Sequence, residues 1–443
     1  MKKLILVCIS TCFFATIYAQ EKTQQLSLKE AITYALKNSY GVKAAQNDIL
    51  LAQKKVWETT TIGLPQITGA LGYQNFLQQP VTLADFDQDG ADDPFVFGTK
   101  QNMNASVTMN QLLFDGSYIV GLQAAKTYLK ISEQATEKTA MRTKEAVINA
   151  YGNVLVTENS ILVLEGNIEV LQQNYTATKE IYKNGFNEEE DVEQLEITLG
   201  NLKNQLNSIS RMKSIAYQML NLAMGNEIDT KIILTDTLDS LTKANISLAL
   251  ISQDFKVSNH IDFKISENNR ETKRLMMRLE QSKGLPTLTA FLNYGAQANS
   301  DSFTFLNGNQ RWYDSSLLGV NLSIPIFTSF GGAAKIAQAK IALDTADLRL
   351  IETKQRLSLQ AQKTKNDYQV SIENYQTSKK NVHLAERIEK KQRVKFFEGI
   401  SSSFDLLQAQ NQLYTQQQNY IQSMLAVIAN KATLENALNI PTK

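Results

Sequence analysis

The sequence predicts a mainly α-helical protein that is built twice from one plan, with long helical hairpins and a smaller β part of four strands. Three observations lead to this prediction. Several phrases of the sequence recur at a nearly constant offset, the prolines leave two long intervals free, and the apolar period changes from helical to alternating after two Gly-Leu-Pro phrases.

The repeat is the first of these observations. "GLPQITGALGY" begins at Gly63 and "GLPTLTAFLNY" begins at Gly284, which is 221 residues later. Two further pairs lie 213 and 214 residues apart: "NQLLFDGS" with "SIPIFTSFGG", and "YKNGFNEEEDVEQL" with "FFEGISSSFDLLQA". A tandem duplication explains the constant offset. We therefore divide the chain after the leader into a first repeat (20–225), a linking segment (226–247) and a second repeat (248–443).

Residues 1–19 have the layout of a secretory signal peptide. Lys2 and Lys3 precede an apolar run, and Ala19 is a small residue at the expected cleavage position. Both cysteines, Cys8 and Cys12, lie inside this leader. We therefore expect an exported protein whose mature part has no disulfide and no cysteine metal site.

Charge and hydropathy narrow the class of protein. Lys and Arg total 45 against 44 for Asp and Glu, so nothing indicates binding to nucleic acid. No apolar stretch after the leader approaches the roughly 18 to 20 residues of a membrane-spanning helix. An exported chain of this kind is either soluble or part of a membrane β-barrel.

The spacing of proline predicts the helices. None of the six prolines lies between residues 95 and 285 or between 326 and 440, and proline costs roughly 3 kcal/mol inside a helix. Long helices are expected at about 117–183 and 332–398, each about 100 Å long. Each is followed by a returning helix, at about 188–224 and 402–438. Gly185 and Gly399 suit the left-handed position that ends a helix.

The returning helices carry a heptad stripe, which predicts coiled packing. The first has Val192, Leu195, Leu199, Leu202, Leu206 and Ile209; the second, 214 residues later, has Leu406, Ala409, Leu413, Gln416, Tyr420 and Ser423. Each repeat opens with a shorter helical run. In the first, Ser27 and Glu30 have the spacing of a capping box, and the run ends near Gly63. The linking segment is expected to form a small mixed region.

Four strands are predicted at about 66–76, 104–114, 287–297 and 316–327. Apolar and small or polar residues alternate in each, as with Ile67 and Leu71 against Gln66 and Thr68. A length of about 10 residues suits a tilted strand that crosses an outer membrane. The alternative is a pair of hairpins in a soluble sandwich.

Four strands cannot close a membrane barrel, because every backbone polar group in lipid needs a partner. Two copies of the chain would supply eight strands and three copies would supply twelve. An eight-stranded barrel is filled by its own side chains, whereas a larger barrel leaves an opening. Since the long helices suit a conduit, we expect three copies.

After the leader, the segments follow in a fixed order: "LSLKEAITYAL", a "GLP" strand, "QLLFDGS", a long helix and "YKNGF…DVEQL". The same plan then occurs a second time. This order, with the leader before it, resembles the TolC-type outer membrane factor (outer membrane efflux protein) family. The resemblance covers nearly all of the chain after the leader. It implies a homotrimer in the outer membrane of a Gram-negative bacterium, with a 12-stranded transmembrane β-barrel and an α-helical periplasmic barrel.

In function, the resemblance implies a passive exit duct of a tripartite efflux or type I secretion system. Such a duct works with a periplasmic adaptor (membrane fusion) protein and with an inner-membrane pump of the RND, ABC or MFS type. Outer membrane lipid surrounds it, and no enzyme activity is implied. The alternative from another class is a soluble periplasmic coiled-coil scaffold or adaptor.

Carboxylates narrow the periplasmic end in this family, and Asp191 and Asp405 lie at that end by position. Three copies of Asp405 would form a ring that attracts cations. Equally, each Asp could sit in the first turn of a helix because the helix dipole favours it there. Gln408 stands where relatives carry a second acid. Phe396 and Ser401 stand where relatives carry a Tyr and an Arg of a closing latch, which puts that latch in doubt here.

Adaptor docking in the family uses the residues around the turn glycines. Here these are Gly185, Phe186, Gly399 and Ile400. The alternative for Phe186 and Ile400 is packing within their own hairpins.

Neither His260 nor His383 has cysteine or carboxylate partners at ligand spacing, and no catalytic motif is present. The acidic stretch "DFDQDGADD" is the only cofactor candidate. Asp85, Asp87, Asp89 and Asp93 resemble part of a calcium loop, but Val96 stands where the bidentate Glu belongs. Calcium binding and a solvated acidic loop remain alternatives, and no other cofactor is expected.

Overall fold

A computed structural model of the chain describes residues 24–84 and 93–440. The predicted signal peptide and the acidic residues 85–92 lie outside this range. The chain divides into two compact units. The first consists of the N-terminal segment up to Asn47 with Gln134–Lys264 and Glu352–Lys443, and the second consists of Asp48–Glu133 and Ile265–Ile351.

The elements follow one another in a repeated order. The helices are α1 (Leu28–Asn38), α2 (Tyr40–Thr61), α3 (Gly116–Lys183), α4 (Glu189–Met224), α5 (Leu238–Ala244), α6 (Leu248–Ile251), α7 (Ile261–Ser282), α8 (Gly331–Phe397) and α9 (Ser403–Ala437). The strands are β1 (Gln24–Leu26), β2 (Gln66–Asn75), β3 (Val81–Ala84), β4 (Asp93–Val96), β5 (Gln101–Phe114), β6 (Ile232–Leu234), β7 (Thr287–Ser300) and β8 (Tyr313–Ser323). We call α3 with α4 the first hairpin and α8 with α9 the second hairpin.

The predicted capping box begins α1. The Ser27 side chain accepts a hydrogen bond from the Glu30 backbone N–H, and the Glu30 carboxylate accepts one from the Ser27 N–H at 2.8 Å. These bonds satisfy backbone donors that the first turn of a helix leaves open.

Two buried tyrosines attach the linking segment to the long helices of the first unit. The Tyr151 hydroxyl of α3 lies 3.0 Å from both the Leu26 carbonyl and the Asp236 carboxylate. The Tyr368 hydroxyl of α8 donates to the Asn245 carbonyl at 2.6 Å and accepts from the Ser247 N–H at 2.9 Å. Burial raises the pKa of Tyr151, and the hydrogen bond with Asp236 adds to the increase. The segment itself contains β6, which pairs in parallel with β1, and α5.

One expectation about hydropathy is wrong. Helix α3 contains an 18-residue window whose mean hydropathy of 1.2 and low charge would suit a membrane-spanning helix. However, 56% of that window is buried within the protein. The largest apolar cluster of the first unit includes Val147, Tyr151 and Leu155 of α3 together with residues of α4, α8 and α9. Contacts around the helix explain why it is apolar on more than one face.

The heptad stripes lie at the contacts between helices, as predicted. Val192, Leu195, Leu199 and Leu202 are buried on α4, and the three leucines form a second apolar cluster with Leu164 and Leu171 of α3. Leu407 and Tyr414 of α9 pack against this cluster. The first and second hairpins therefore contact each other within the first unit.

The second unit holds a four-stranded antiparallel sheet in the order β2-β5-β7-β8. The middle pair joins the two repeats, since β5 belongs to the first and β7 to the second. Strands β5 and β7 extend beyond the predicted bounds, to Gln101 and to Ser300. A bulge between Leu112 and Phe114 shifts the register near the end of β5. The β3–β4 hairpin was not predicted.

The sheet has one apolar face and one polar face, as the alternation predicts. Ile67 pairs with Met109, Met109 with Leu292, and Leu292 with Leu318, so these side chains share one face. The large ones among them, Ile67, Leu292 and Leu318, are exposed to the surroundings of the chain. On the other face the Asn293 amide donates to the Thr108 hydroxyl at 2.7 Å. Small residues also lie there, and a Cβ at Gly319 would come within 2.5 Å of the Phe291 ring.

The doubled Gly-Leu-Pro phrase forms the same turn from helix to strand in each repeat. The Gly63 N–H donates to the Thr60 carbonyl at 3.1 Å, and the Gly284 N–H donates to the Gln281 carbonyl at 3.2 Å. At Gly63 the Tyr118 ring approaches so closely that a Cβ would lie 2.5 Å from it. The phrase occurs twice because each repeat makes this transition once.

Candidate functional site

The two hairpins end in turns of the same construction. Gly185 and Gly399 have φ angles of +81° and +72°, in the left-handed region that glycine adopts without strain. The next residue in each turn bonds back to the preceding helix, with Phe186 N–H to the Ile181 carbonyl at 3.2 Å and Ile400 N–H to the Lys395 carbonyl at 2.8 Å. This is the Schellman pattern that satisfies the last carbonyls of a helix.

The apolar residues of the turns are exposed. Phe186 is 82% exposed and Ile400 is 69% exposed. The alternative that they pack within their own hairpins is therefore wrong for this chain. Exposed apolar side chains at a rigid turn are suited to contact with another protein. Their role in adaptor docking stays a prediction.

Asp405 caps the start of α9. The Ser402 hydroxyl accepts from the Asp405 N–H at 3.2 Å, while the Asp405 carboxylate accepts from the Ser402 N–H at 3.2 Å and from its hydroxyl at 2.8 Å. The carboxylate thus has the structural role that the helix-dipole interpretation assigns to it. Asp405 is nonetheless exposed, so its charge is also available to ions.

Asp191 joins the two hairpins. It lies in the first turn of α4, and its carboxylate accepts a hydrogen bond from the hydroxyl of Ser403, the first residue of α9. Ser403 is buried and Asp191 is half-buried. The structure therefore brings the starts of α4 and α9 together through Ser403, a residue that the sequence did not single out.

The remaining predicted aperture residues differ in their surroundings. Gln408 is exposed on α9. Phe396 is buried, and its ring packs edge-on against Phe397 with 5.5 Å between the centroids. Ser401 is half-buried and its hydroxyl has no hydrogen-bond partner. Phe396 therefore presents no surface to an opening, because tertiary packing turns it toward the hairpin.

The sequence also missed a layer of buried polar side chains near these turns. Each member has a buried side-chain nitrogen or oxygen atom that finds no hydrogen-bond partner in the described part of the chain: Asn174, Thr178, Glu389, Gln410 and Tyr414. They come from α3, α8 and α9. Burial raises the pKa of Tyr414, and the negative charge of Glu389 adds to the increase. The only sequence signal was the run of uncharged polar residues in α9.

The described residues 24–84 and 93–440 contain no cluster of three or more His, Cys, Asp or Glu side chains suited to a metal ion. His260 is buried beside the Phe255 ring and accepts a hydrogen bond from the Asp262 N–H at 3.1 Å. His383 is exposed on α8. Of the predicted calcium loop, Asp85, Asp87 and Asp89 lie outside the described residues. Calcium binding stays a prediction.

Residues 257–439 match the family described as outer membrane efflux protein. They comprise nearly all of the second repeat, including both helices of the second hairpin and the strands β7 and β8. In these residues the chain carries the outer membrane efflux protein domain. Its location is accordingly the outer membrane, with a part that extends into the periplasm. A soluble periplasmic scaffold does not fit this family.

Solved structures of outer membrane channels show the same fold over nearly the whole chain. VceC from the bacterial pathogen Vibrio cholerae is 16% identical, with 93% of this chain and 95% of VceC covered at a TM-score of 0.72. CusC is 16% identical, with 93% and 91% covered at a TM-score of 0.75. The CmeC outer membrane channel of Campylobacter jejuni is 16% identical, with 93% and 85% covered at a TM-score of 0.72.

No curated protein sequence matches this chain. The similarity in structure at such low identity confirms the predicted fold class, mainly α with a β part, in which long helical hairpins are duplicated. The family is one of channels and not of enzymes.

Proposed function

We propose that the chain forms a homotrimeric, passive exit duct in the outer membrane and serves a tripartite efflux or type I secretion system. One observation carries the proposal. Among the described residues, the second unit contains a four-stranded sheet whose outer strands β2 and β8 pair with no further strand, and one face of this sheet is apolar and exposed. Such a sheet can lie in lipid only if its edges are paired.

The strand directions suit pairing with identical copies. Each strand is antiparallel to the next in the order β2-β5-β7-β8, so β8 runs opposite to β2. Strand β8 of one copy can therefore continue the antiparallel ladder along β2 of the next. Two copies would give eight strands, which their own side chains fill, and three copies give twelve, which leave a passage.

The helical turns are the proposed contact with a periplasmic adaptor, through which the duct would serve an inner-membrane pump of the RND, ABC or MFS type. Phe186 and Ile400 are exposed on turns that positive-φ glycines shape. Transport through the duct needs no catalytic group, and we assign the chain no enzyme activity.

Purification in detergent tests the trimer. We expect a particle with the mass of three chains that migrates as a trimer unless it is heated, and that conducts ions across planar lipid bilayers. A chain that stays monomeric and dissolves without detergent would contradict the proposal.

The docking turns can be tested in cells from which the native gene is deleted, so that export depends on the variant that is supplied. Phe186→Ser and Ile400→Ser should abolish export while the trimer persists, because they remove apolar contacts to the adaptor. Leu162→Ser is the matched control, since Leu162 is also exposed and apolar but lies in the middle of α3. Equal loss of export in the control would refute a specific role for the turns.

Conductance measurements test whether the Asp405 charge selects ions. We expect Asp405→Asn to reduce the preference for cations over anions, because it removes three charges from one level of the trimer. Ser402→Ala is the control, since it removes a capping hydrogen bond at the same position but keeps the carboxylate. If both variants change selectivity equally, the charge is not responsible.

A further inference from the structure

The small sheet of the first unit has an open edge. Strand β6 (Ile232–Leu234) pairs in parallel with β1 (Gln24–Leu26), and among the described residues this sheet has no third strand. The edge of a sheet presents unpaired backbone donors and acceptors, to which another extended chain can bind. The side of β6 that faces away from β1 is therefore a candidate contact surface.

The backbone bonds of the sheet show which groups of β6 lie at this edge. The Lys231 carbonyl accepts a hydrogen bond from β1 at 3.3 Å, and the Thr235 N–H donates one to β1 at 3.1 Å. The backbone groups of successive residues point to opposite sides of a strand, so those of Ile233 also face β1. The N–H and C=O groups of Ile232 and Leu234 therefore point to the open edge.

A groove with a volume of 420 Å³ lies beside this edge. Ser214, Tyr217 and Gln218 of α4 line one wall, and residues 228–232 line the other. The volume is in the range of ligand-binding sites, roughly 300–1,000 Å³. Because Ile232 belongs to both the lining and the open edge, the groove and the edge form one site, which we call the β6 groove.

The backbone along the β6 groove is held in place. The Asn221 side chain is buried, and its amide donates to the Ile228 carbonyl at 3.0 Å and to the Thr230 carbonyl at 2.8 Å. Gly225 ends α4 with a φ angle of +82°, and a Cβ there would come within 2.4 Å of the Asn38 carbonyl oxygen. An edge that is already ordered binds another chain at a lower entropic cost.

The charged side chains of the groove have partners within the chain. The Lys213 ammonium lies 2.9 Å from the Glu158 carboxylate, and the Asp229 carboxylate accepts a hydrogen bond from the Gln218 amide at 3.3 Å. Lys231 also has a partner. What the groove offers is therefore backbone hydrogen bonding rather than unpaired charge. This favours an extended polypeptide over a small charged ligand.

We propose that the β6 groove binds an extended segment of another periplasmic protein, which joins the sheet as a third strand beside β6. Ile232 and Leu234 exchange backbone hydrogen bonds with this segment. Ile233 is 50% exposed on the outer face of the sheet, so the segment places an apolar or β-branched residue beside it. The site lies within one copy of the chain and does not depend on the trimeric duct.

Photo-cross-linking in intact cells identifies the bound segment. A photoreactive amino acid replaces Ser214 in one variant and Asn207 in the other. Asn207 is the matched control, because it is also exposed and lies seven residues earlier on the same side of α4 but does not line the groove. We expect a covalent adduct with another protein from position 214 and none from position 207. Mass spectrometry of the adduct then gives the segment.

Binding of that segment, as a synthetic peptide, to the purified protein tests strand addition. N-methylation at every second residue of the peptide should weaken binding about tenfold, because only alternate N–H groups face β6. The same change at the intervening residues should have little effect. Leu234→Pro, which removes a donor at the open edge, should weaken binding equally. Gln25→Pro is the control, since it removes a donor at the opposite edge of the same sheet.

Three results would overturn the proposal. Adducts only with a second copy, or with residues 20–23 or 441–443 of the same chain, would mean that this protein fills its own groove. Equal weakening by N-methylation at all positions would mean that the peptide does not bind as a strand. Absence of any adduct from position 214 would mean that the groove is empty in cells. A chain that proves monomeric would contradict the proposed duct but not the β6 groove.

Discussion

Gln410 is fully buried in α9, and neither its amide nitrogen nor its amide oxygen has a hydrogen-bond partner among the residues that the structure describes. Burial of an unpartnered amide costs about 1–3 kcal/mol. We therefore expect Gln410→Met, which keeps the shape of the side chain, to raise the free energy of unfolding by about 1 kcal/mol. Denaturant unfolding in detergent measures this change.

Gln417 supplies the matched control on the same helix. Its side-chain oxygen accepts a hydrogen bond from the Asn167 amide of α3 at 2.9 Å. Gln417→Met leaves that amide without its acceptor and should lower the free energy of unfolding by about 1 kcal/mol. If both substitutions destabilise the protein equally, the polar layer at Gln410 contributes to stability through a partner in the assembly.

We expect His260 to make the first unit less stable in acid. Burial lowers the pKa of His260 below its ordinary value of 6.5, because the charged form loses its hydration. The charge of Asp262 opposes this decrease, and Lys138 and Arg356 add to it. The neutral imidazole is therefore the form that the fold favours. Its contribution to stability is present above the ordinary pKa and is lost as the pH falls through the lower pKa of the folded state.

We expect the unfolding midpoint of the native protein to fall between about pH 8 and about pH 5.5 by more than that of His260→Asn. Asparagine keeps an acceptor for the Asp262 N–H but does not titrate. An equal decrease in the two proteins would assign the acid sensitivity to other groups.

At the scale of elements, substitution by alanine should affect stability differently at the two turn glycines and at a glycine inside a helix. A Cβ at Gly185 or Gly399 would meet no atom within 4 Å, so substitution by alanine acts through the positive φ angle alone. Each substitution should cost about 1–2 kcal/mol. Gly200 has equally open surroundings but lies inside α4, where alanine should stabilise the helix by about 1 kcal/mol. Thermal unfolding of the three variants distinguishes the effects, and a stabilised Gly185→Ala would contradict them.

The long helices could be predicted almost to the residue, because missing prolines and a glycine at each end determine a helix locally. The expected 117–183 is Gly116–Lys183, and the expected 402–438 is Ser403–Ala437. The predicted ends of the strands were less accurate than those of the helices. Gln101 belongs to β5 because it pairs with both Asn75 and Ser300, and pairing between distant segments leaves no mark in the local pattern.

The candidate site was predictable only where the backbone defines it. Glycine in the left-handed region located the turns, and the distance from the turns located Asp191 and Asp405. The burial of Phe396 and the bond from Ser403 depend on how four helices pack, which the heptad pattern does not specify. The heptad pattern does not mark the polar side chains around Gln410, because Gln410 and Tyr414 each come one residue after a stripe position, Ala409 and Leu413.

At the scale of the whole molecule, the open edges of the sheet predict how the protein enters a membrane. Within residues 24–84 and 93–440 of one copy, the outer edges of β2 and β8 have no partner strand, so a single chain in lipid would bear unpaired backbone groups. When unfolded chains are diluted into lipid vesicles, protection of the strands from protease should therefore rise steeply with protein concentration. A yield that does not depend on concentration would mean that one chain inserts alone.

The middle of the sheet, where β5 of one repeat pairs with β7 of the other, has a consequence for the origin of the assembly. An ancestor with a single repeat would have needed twice as many identical subunits around the proposed pore. Every interface between subunits would then have been formed by the same two surfaces of that repeat. Fusion of two repeats into one gene released that restriction. In the proposed assembly each repeat has the other as its neighbour, so the sequences of the two halves can diverge at the contacts between them.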